Sequence, residues 1–150
     1  MKPRLVLGLG GAFAGDDAVG LELARRLAAH ARLPHDVEAV QGGPDLLRLG
    51  AMLAGRRHVV LVDAVQARPD DSAPLVGDHP LAGLDDRQTH AHHLSAVQAL
   101  ELLLLSEPGL ARTRFTWFLV PVSSSEPGDS LSPELSARLP GLVEEILALL

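Results

Sequence analysis

The chain has 150 residues, of which 47% are hydrophobic, and its formal net charge is −6. This length and apolar content predict one folded domain over residues 1–150, and the negative charge argues against nucleic acid or an anionic membrane as partner. The chain has no cysteine, which excludes disulfides, thiolate catalysis and thiolate metal sites. No apolar run approaches a membrane span and no signal-peptide pattern is present, so we expect a cytoplasmic protein.

The first third of the chain alternates apolar runs with glycine and aspartate. Arg4–Leu9 is a short apolar run that continues into glycines, which predicts a buried strand followed by a turn. Asp16 or Asp17 is expected to cap the next helix. Residues 36–41 predict a second strand, and Asp45 is expected to cap a helix over residues 46–53.

The clearest strand of the chain covers residues 57–65. Four consecutive aliphatic residues precede Asp63, so both faces of this strand are apolar, as in the centre of a parallel sheet. The connection over residues 66–88 is rich in Pro, Asp and Gly, with a short edge strand expected near 73–77. Helical periodicity returns over residues 93–105.

The last third predicts one more strand and a terminal helix. Residues 115–122 are rich in aromatic and β-branched side chains, which favours a strand. Ser132 and Pro133 are typical of a helix start, and Pro140 is expected to bend or restart that helix. The alternation of strands and helices predicts an α/β three-layer sandwich, with a mostly parallel twisted sheet of about five strands and helices on both faces.

Acidic residues follow two of the predicted strands. Because the carboxyl ends of parallel strands meet at one crevice, Asp16, Asp17 and Asp63 are expected to converge there. Asp16 and Asp17 also have a plain structural interpretation as helix cap and dipole partner. Asp63 is harder to explain in this way, because a carboxylate in a buried strand needs a hydrogen-bond network, a cation or a metal.

A histidine-rich stretch lies before the predicted third helix. His90, His92 and His93 could supply a nitrogen ligand to the same crevice, or they could be solvated residues at a helix start. Two carboxylates and one imidazole suit a borderline transition metal such as Ni²⁺, Zn²⁺ or Fe²⁺. The remaining histidines have no such context and are expected at the surface; they are His30, His35, His58 and His79.

Other catalytic motifs are missing from the sequence. A dinucleotide fingerprint needs glycine where the chain has Phe13, and the Walker lysine of phosphate loops is absent. Neither the nucleophile elbow of serine hydrolases nor the His-Glu-x-x-His helix of zinc proteases occurs.

Several of these segments together resemble one family. The segment from Leu7 to Gly20 is similar to the opening motif of the nickel-iron hydrogenase maturation endopeptidases. Four later segments match the family in the same order: Gly42-Gly43, Val62-Asp63-Ala64, the Thr-His-x-His-His-Leu stretch, and the ending from Leu119-Val-Pro121 to Leu131-Ser-Pro133. The resemblance covers nearly the whole chain. It departs at Gly11, where the family usually has Asn, and at Ala18, where it usually has Gly.

The resemblance implies a narrow function. Proteins of this family remove a C-terminal extension from a hydrogenase large-subunit precursor after nickel insertion, and recognise that nickel through two acidic residues and a histidine. Carried over by position, the catalytic and metal-binding residues are Asp17, Asp63 and His92, with His90 and His93 as substitutes. The nickel is expected to arrive on the precursor, with Zn²⁺ as a possible replacement in vitro, and the protein is expected to be a monomer.

Two alternatives use the same residues differently. Asp17 and Asp63 could act without a metal, as a carboxylate pair that shares a proton. The protein could also be a non-proteolytic metal-sensing or chaperone module that grips the hydrogenase precursor without cutting it.

Overall fold

A computed structural model describes residues 1–11, 14–68, 72–82, 95–123, 127–128 and 130–150. The strands are β1 (Arg4–Leu9), β2 (Val37–Gly43), β3 (His58–Gln66), β4 (Leu75–Asp78) and β5 (Arg114–Val122). The α-helices are α1 (Val19–Ala28), α2 (Gly50–Leu53), α3 (Ala96–Ser106) and α4 (Pro133–Ala148). Short 3-10 turns cover Gly15–Ala18, Leu46–Leu49 and Pro108–Leu110.

The strands form one sheet in the order β2-β1-β3-β5-β4. The pairs β1–β2, β1–β3 and β3–β5 are parallel, whereas the edge strand β4 runs antiparallel to β5. The predicted α/β architecture, with a mostly parallel five-stranded sheet, is therefore confirmed. The order reverses direction at β1, since the chain moves from β1 outward to β2 and then back across β1 to β3.

Apolar side chains cover both faces of the sheet. Odd-numbered residues of β1 and β3, such as Leu7 and Leu61, pack against α3 and the segment that contains α2. Even-numbered residues, such as Val6 and Val62, pack against α1 and α4. This alternation follows from the period of two along a strand, and it gives the three layers that the sequence predicts.

Several element ends differ from the prediction. Strand β3 ends at Gln66, one residue beyond the predicted range 57–65, because its last residues pair with β5. Asp63 therefore lies inside this strand and does not follow it. Helix α3 begins at Ala96, three residues later than predicted, because Ser95 is its N-cap and forms a capping box with Gln98. Helix α4 runs from Pro133 to Ala148 through Pro140 without the predicted restart.

Two glycines bring helix α1 into backbone contact with the sheet. A Cβ atom at Gly8 would lie 2.1 Å from the carbonyl oxygen of Gly20, and one at Gly20 would lie 2.4 Å from the carbonyl oxygens of Leu9 and Val62. Only glycine at both positions permits this approach. The start of α1, and the turn before it, is thereby held directly over β1 and β3.

Within the described part of the chain, no helix combines the length and apolarity required to cross a bilayer.

Candidate functional site

The carboxyl ends of β1 and β3 form the crevice that the sequence predicts. Gly8 is the last β1 residue in register with β3, where it pairs with Val62. Beyond that pair β3 continues alone against β5, while the chain after β1 leaves through the Gly15–Ala18 turn. This is the point where the strand order reverses, which is the usual ligand-binding position in open α/β sheets.

Asp63 is the first β3 residue beyond the end of the β1 pairing, and its side chain is partly buried. Its Oδ1 accepts a hydrogen bond of 2.8 Å from the backbone N–H of Ala64. Burial raises the pKa of Asp63 to about 7, the Ala64 bond opposes that change, and the charge of Asp17 raises the pKa further. An aspartate that ionises near neutral pH is unusual.

Asp17 lies in the Gly15–Ala18 turn, which contacts β3. The close backbone contact at Gly20 fixes the distance of this turn from the sheet. The side chain of Asp17 is partly exposed. Because the charge of Asp17 acts on Asp63, the structure brings these two predicted residues to the same crevice. They are separated by a helix, a strand and a further helical segment along the chain, so only the sheet topology unites them.

Neither Asp16 nor Asp17 is the N-cap of the helix that follows, so the predicted capping role is wrong. The N-cap of α1 is Ala18, and that of the preceding turn is Ala14. Asp16 instead points to the start of α4, where Oδ1 accepts from the Ser132 backbone N–H at 2.7 Å and Oδ2 accepts from the Ser132 hydroxyl at 2.9 Å. The Asp45 cap, in contrast, is confirmed by a hydrogen bond from Leu47 N–H.

The three clustered histidines, His90, His92 and His93, lie outside the described residues. Ser95 is the first described residue after them, and it begins α3 on the same face of the sheet as Leu61 and Val65. Alternation along β3 assigns Asp63 to this face as well. In the described part of the chain, no three His, Cys, Asp or Glu side chains are grouped so that they could hold a metal.

Two histidines that were expected at the surface are built into the interior. His58 is buried, and its Nε2 lies 2.8 Å from the hydroxyl of Thr116, which donates to Asp78 at 2.6 Å. Burial lowers the pKa of His58, so the ring stays neutral at pH 7. The Nδ1 of His79 accepts from the Trp117 indole at 3.1 Å. The residues in these hydrogen bonds with His58 and His79 lie on β4 and β5, so no local sequence pattern predicts the contacts.

A cavity of about 320 Å³ adjoins the site. It lies between α1 and the start of α4, and the Gly15–Ala18 turn forms one end. Arg26 and Glu22, which form an ion pair of 3.1 Å, contribute the charged part of its wall.

The crevice contains two carboxyl groups, Asp17 and Asp63, and the charge of Asp17 raises the pKa of Asp63. Two like charges in a partly buried position favour protonation of one carboxyl or the arrival of a cation. Carboxylate oxygens alone suit hard cations, and an additional imidazole would shift the preference toward nickel, zinc or iron. The site can therefore bind a cation or move a proton.

The chain is similar to known proteins over nearly its whole length. No family model matches it. It is 27% identical over 148 residues to the hydrogenase 2 maturation protease of Escherichia coli K12, covering 97% of this chain and 89% of that protein. It is 29% identical over 137 residues to protein FrxA of Pyrococcus furiosus, covering 91% of this chain and 96% of that protein.

Two solved structures have a similar fold over nearly the whole chain. The hydrogenase maturating endopeptidase HybD from E. coli aligns with a TM-score of 0.79 at 25% identity, covering 97% of this chain and 90% of that one. The [NiFe] hydrogenase maturation protease HybD from Thermococcus kodakarensis aligns with a TM-score of 0.78 at 24% identity, covering 97% of both chains.

Proposed function

We propose that the chain is a member of the hydrogenase maturation endopeptidase family and hydrolyses a peptide bond, because it is similar over nearly its whole length to proteins named as hydrogenase maturation proteases. We propose that it removes the C-terminal extension of a nickel-iron hydrogenase large-subunit precursor after nickel has been inserted. In this proposal the protein acts as a monomer and recognises the bound nickel through Asp17, Asp63 and His92.

The observation that carries the proposal is the electrostatic coupling of Asp17 and Asp63. Burial and the charge of Asp17 together raise the pKa of Asp63 to about 7, so the ionised form of Asp63 is disfavoured in the crevice. A divalent cation placed between the two carboxylates would remove this penalty and favour the ionised form of both. The pair thus gains stability when a metal arrives.

The proposal treats nickel as part of the substrate. Two carboxylates form only part of a coordination shell, and the described residues offer no third ligand beside them. A partial shell fits a metal that is already held by ligands of the precursor. In the sequence His92 precedes the α3 cap Ser95 by three residues, and α3 packs on the face of the sheet to which Asp63 belongs, so His92 is the nitrogen ligand in this proposal.

The protein residues then have defined roles. The ionised carboxylates of Asp17 and Asp63 bind the nickel-bearing region of the precursor, and the crevice between β1 and β3 orients the scissile peptide against it. At that position the precursor's nickel would polarise the scissile carbonyl as a Lewis acid, activate a water or act chiefly as a template. Nickel-free precursor lacks this anchor, so cleavage follows metal insertion.

A metal-free mechanism uses the same pair. A carboxyl with a pKa of about 7 beside a second carboxylate is the pattern of two acids that share a proton, as in aspartic proteases. Under this mechanism nickel-free precursor is cleaved and chelators have no effect. The non-proteolytic alternative, in which the protein only grips the precursor, is disfavoured because the relatives are named proteases.

The experiment is mass analysis of a large-subunit precursor after incubation with the protein. We expect the nickel-loaded precursor to lose a C-terminal peptide and the nickel-free precursor to stay intact. Cleavage of both would support the carboxylate pair, and an unchanged mass with retained binding would support the non-proteolytic module.

The Asp17→Asn variant tests the ligand assignment. It removes one anionic ligand while keeping the size of the side chain, so we expect a folded protein that leaves the precursor uncleaved. The matched control is Asp45→Asn, because Asp45 lies at a remote helix start and asparagine caps a helix as well as aspartate does. Normal processing by Asp17→Asn would contradict the assignment.

A further inference from the structure

The two neighbouring aspartates of the Gly15–Ala18 turn have different environments. Asp17 is partly exposed at the crevice, whereas Asp16 is buried, with 8% of its surface exposed. A buried carboxylate is unfavourable unless its oxygens are hydrogen-bonded, and both oxygens of Asp16 accept from Ser132. Both carboxylate oxygens of Asp16 are therefore engaged by the start of α4.

The contact joins parts of the chain that are 116 positions apart. Ser132 is the N-cap of α4, and its hydroxyl accepts from the Leu135 N–H while it donates to Asp16. The positive end of the α4 dipole also favours a carboxylate at this position. The same serine thus starts the helix and holds the turn.

Backbone contacts reinforce this link. The Gly15 N–H donates to the carbonyl oxygen of Gly128 at 3.1 Å, and Ala14 forms a parallel bridge with the same glycine. On the opposite side, a Cβ atom at Gly10 would lie 2.2 Å from the carbonyl oxygen of Asp17, so the end of β1 is pressed against the turn. The turn is fixed from the sheet and from α4 at once.

We propose that Asp16 is a positioning residue, which uses Ser132 to hold the turn so that the Asp17 carboxylate stays beside Asp63. This inference rests on the proposed function for the role of Asp17. Like charges on Asp17 and Asp63 repel each other, so an untethered turn would move away from β3. The same tether keeps the two walls of the neighbouring cavity together, because the turn and the start of α4 line it.

The test compares four variants in precursor cleavage at saturating precursor. Asp16→Ala removes both acceptors, and Ser132→Ala removes the hydroxyl while it keeps the backbone N–H. We expect Asp16→Ala to lower kcat at least tenfold with a folded protein, and Ser132→Ala to lower it less. The conservative variants Asp16→Asn and Ser132→Thr keep an acceptor and a hydroxyl, so we expect them to retain most activity.

Non-additivity separates positioning from simple destabilisation. If the two residues act through one link, the double variant Asp16→Ala/Ser132→Ala is no slower than Asp16→Ala alone. Losses that multiply, or a loss of activity that only follows the loss of folded protein, would overturn the proposal. Full activity of Asp16→Ala would overturn it as well.

A crystal structure of Ser132→Ala and of Asp16→Ala gives a readout that is independent of cleavage. We expect the Gly15–Ala18 turn to move away from β3 by more than 1 Å in Asp16→Ala, relative to the wild type solved in the same way. An unmoved turn would refute the positioning role even if the wild type cleaves the precursor. If the turn moves in Asp16→Ala but the wild type cleaves no precursor, the proposed function is refuted and the positioning role stands.

Discussion

Replacement of Asp63 by asparagine should stabilise the protein, and increasingly so as the pH rises. The folded-state pKa of Asp63 is about 7, above the ordinary value of 3.8, so the folded protein binds more protons than the unfolded chain between these values. Stability from this group is therefore greatest at acid pH and is lost as the pH rises through 7. Asparagine keeps the acceptor for the Ala64 N–H and removes the ionisation.

The magnitude follows from the pKa values. A change from 3.8 to about 7 corresponds to about 4 kcal/mol in total, at 1.36 kcal/mol per pKa unit. Roughly 2 to 3 kcal/mol of this develops between pH 5 and pH 8. We therefore expect the stabilisation of Asp63→Asn over wild type to be larger by that amount at pH 8 than at pH 5.

Urea unfolding of both proteins at the two pH values measures this difference. Titrating groups that do not interact with Asp63 are common to the two proteins, so their contributions cancel, and the coupling to Asp17 is already part of the Asp63 value. Glu22→Gln is the matched control, because the Arg25 and Arg26 guanidinium groups lower the pKa of Glu22 and its contribution is almost complete at pH 5 and above. The control should be less stable than wild type by the same amount at both pH values. A pH-independent difference for Asp63→Asn would refute the reasoning.

Three further predictions concern the ligand assignment and the framework of the site. His92→Ala should abolish precursor cleavage while His90→Ala retains it, as measured by precursor mass, and the reverse result would move the ligand to His90. Gly20→Ala should lower the free energy of unfolding by on the order of 3 kcal/mol in urea unfolding, because its Cβ would lie 2.4 Å from two backbone oxygens. Gly141→Ala has open space around it and should be neutral or stabilising by up to about 1 kcal/mol. Equal effects at the two glycines would contradict the packing argument. Thr116→Val should cost about 2 kcal/mol in the same assay, because it leaves the buried His58 ring without its hydroxyl partner and also removes the hydrogen bond to the exposed Asp78. An unchanged midpoint would show that this hydroxyl is dispensable.

The sequence was sufficient to predict the sheet because its pattern is local. Strand β1 begins and ends where the apolar run does, and β3 was recognised from its continuous apolar residues. The end of β3 was misplaced since pairing with β5, and not the sequence of β3 itself, extends the strand to Gln66. The Ser95 cap of α3 was missed because helical periodicity marks the helix body more clearly than its first residue.

The part of the candidate site that follows from parallel-sheet topology could be predicted from the sequence. The rule that carboxyl ends of strands share a crevice was enough to bring Asp17 and Asp63 together. It could not reveal that Asp16 binds Ser132, because that contact joins the turn to a helix 116 positions later. The burial of His58 was missed for the same reason, since Thr116 and Asp78 approach it only in the folded sheet.

A crystal of the protein grown with Ni²⁺ would show whether Asp17 and Asp63 bind one nickel ion. Anomalous scattering at the nickel edge should give a single peak within about 2.3 Å of a carboxylate oxygen from each aspartate, with an imidazole nitrogen of His92 as the third neighbour. A nickel peak bound elsewhere, with these carboxylates free of metal, would contradict the account.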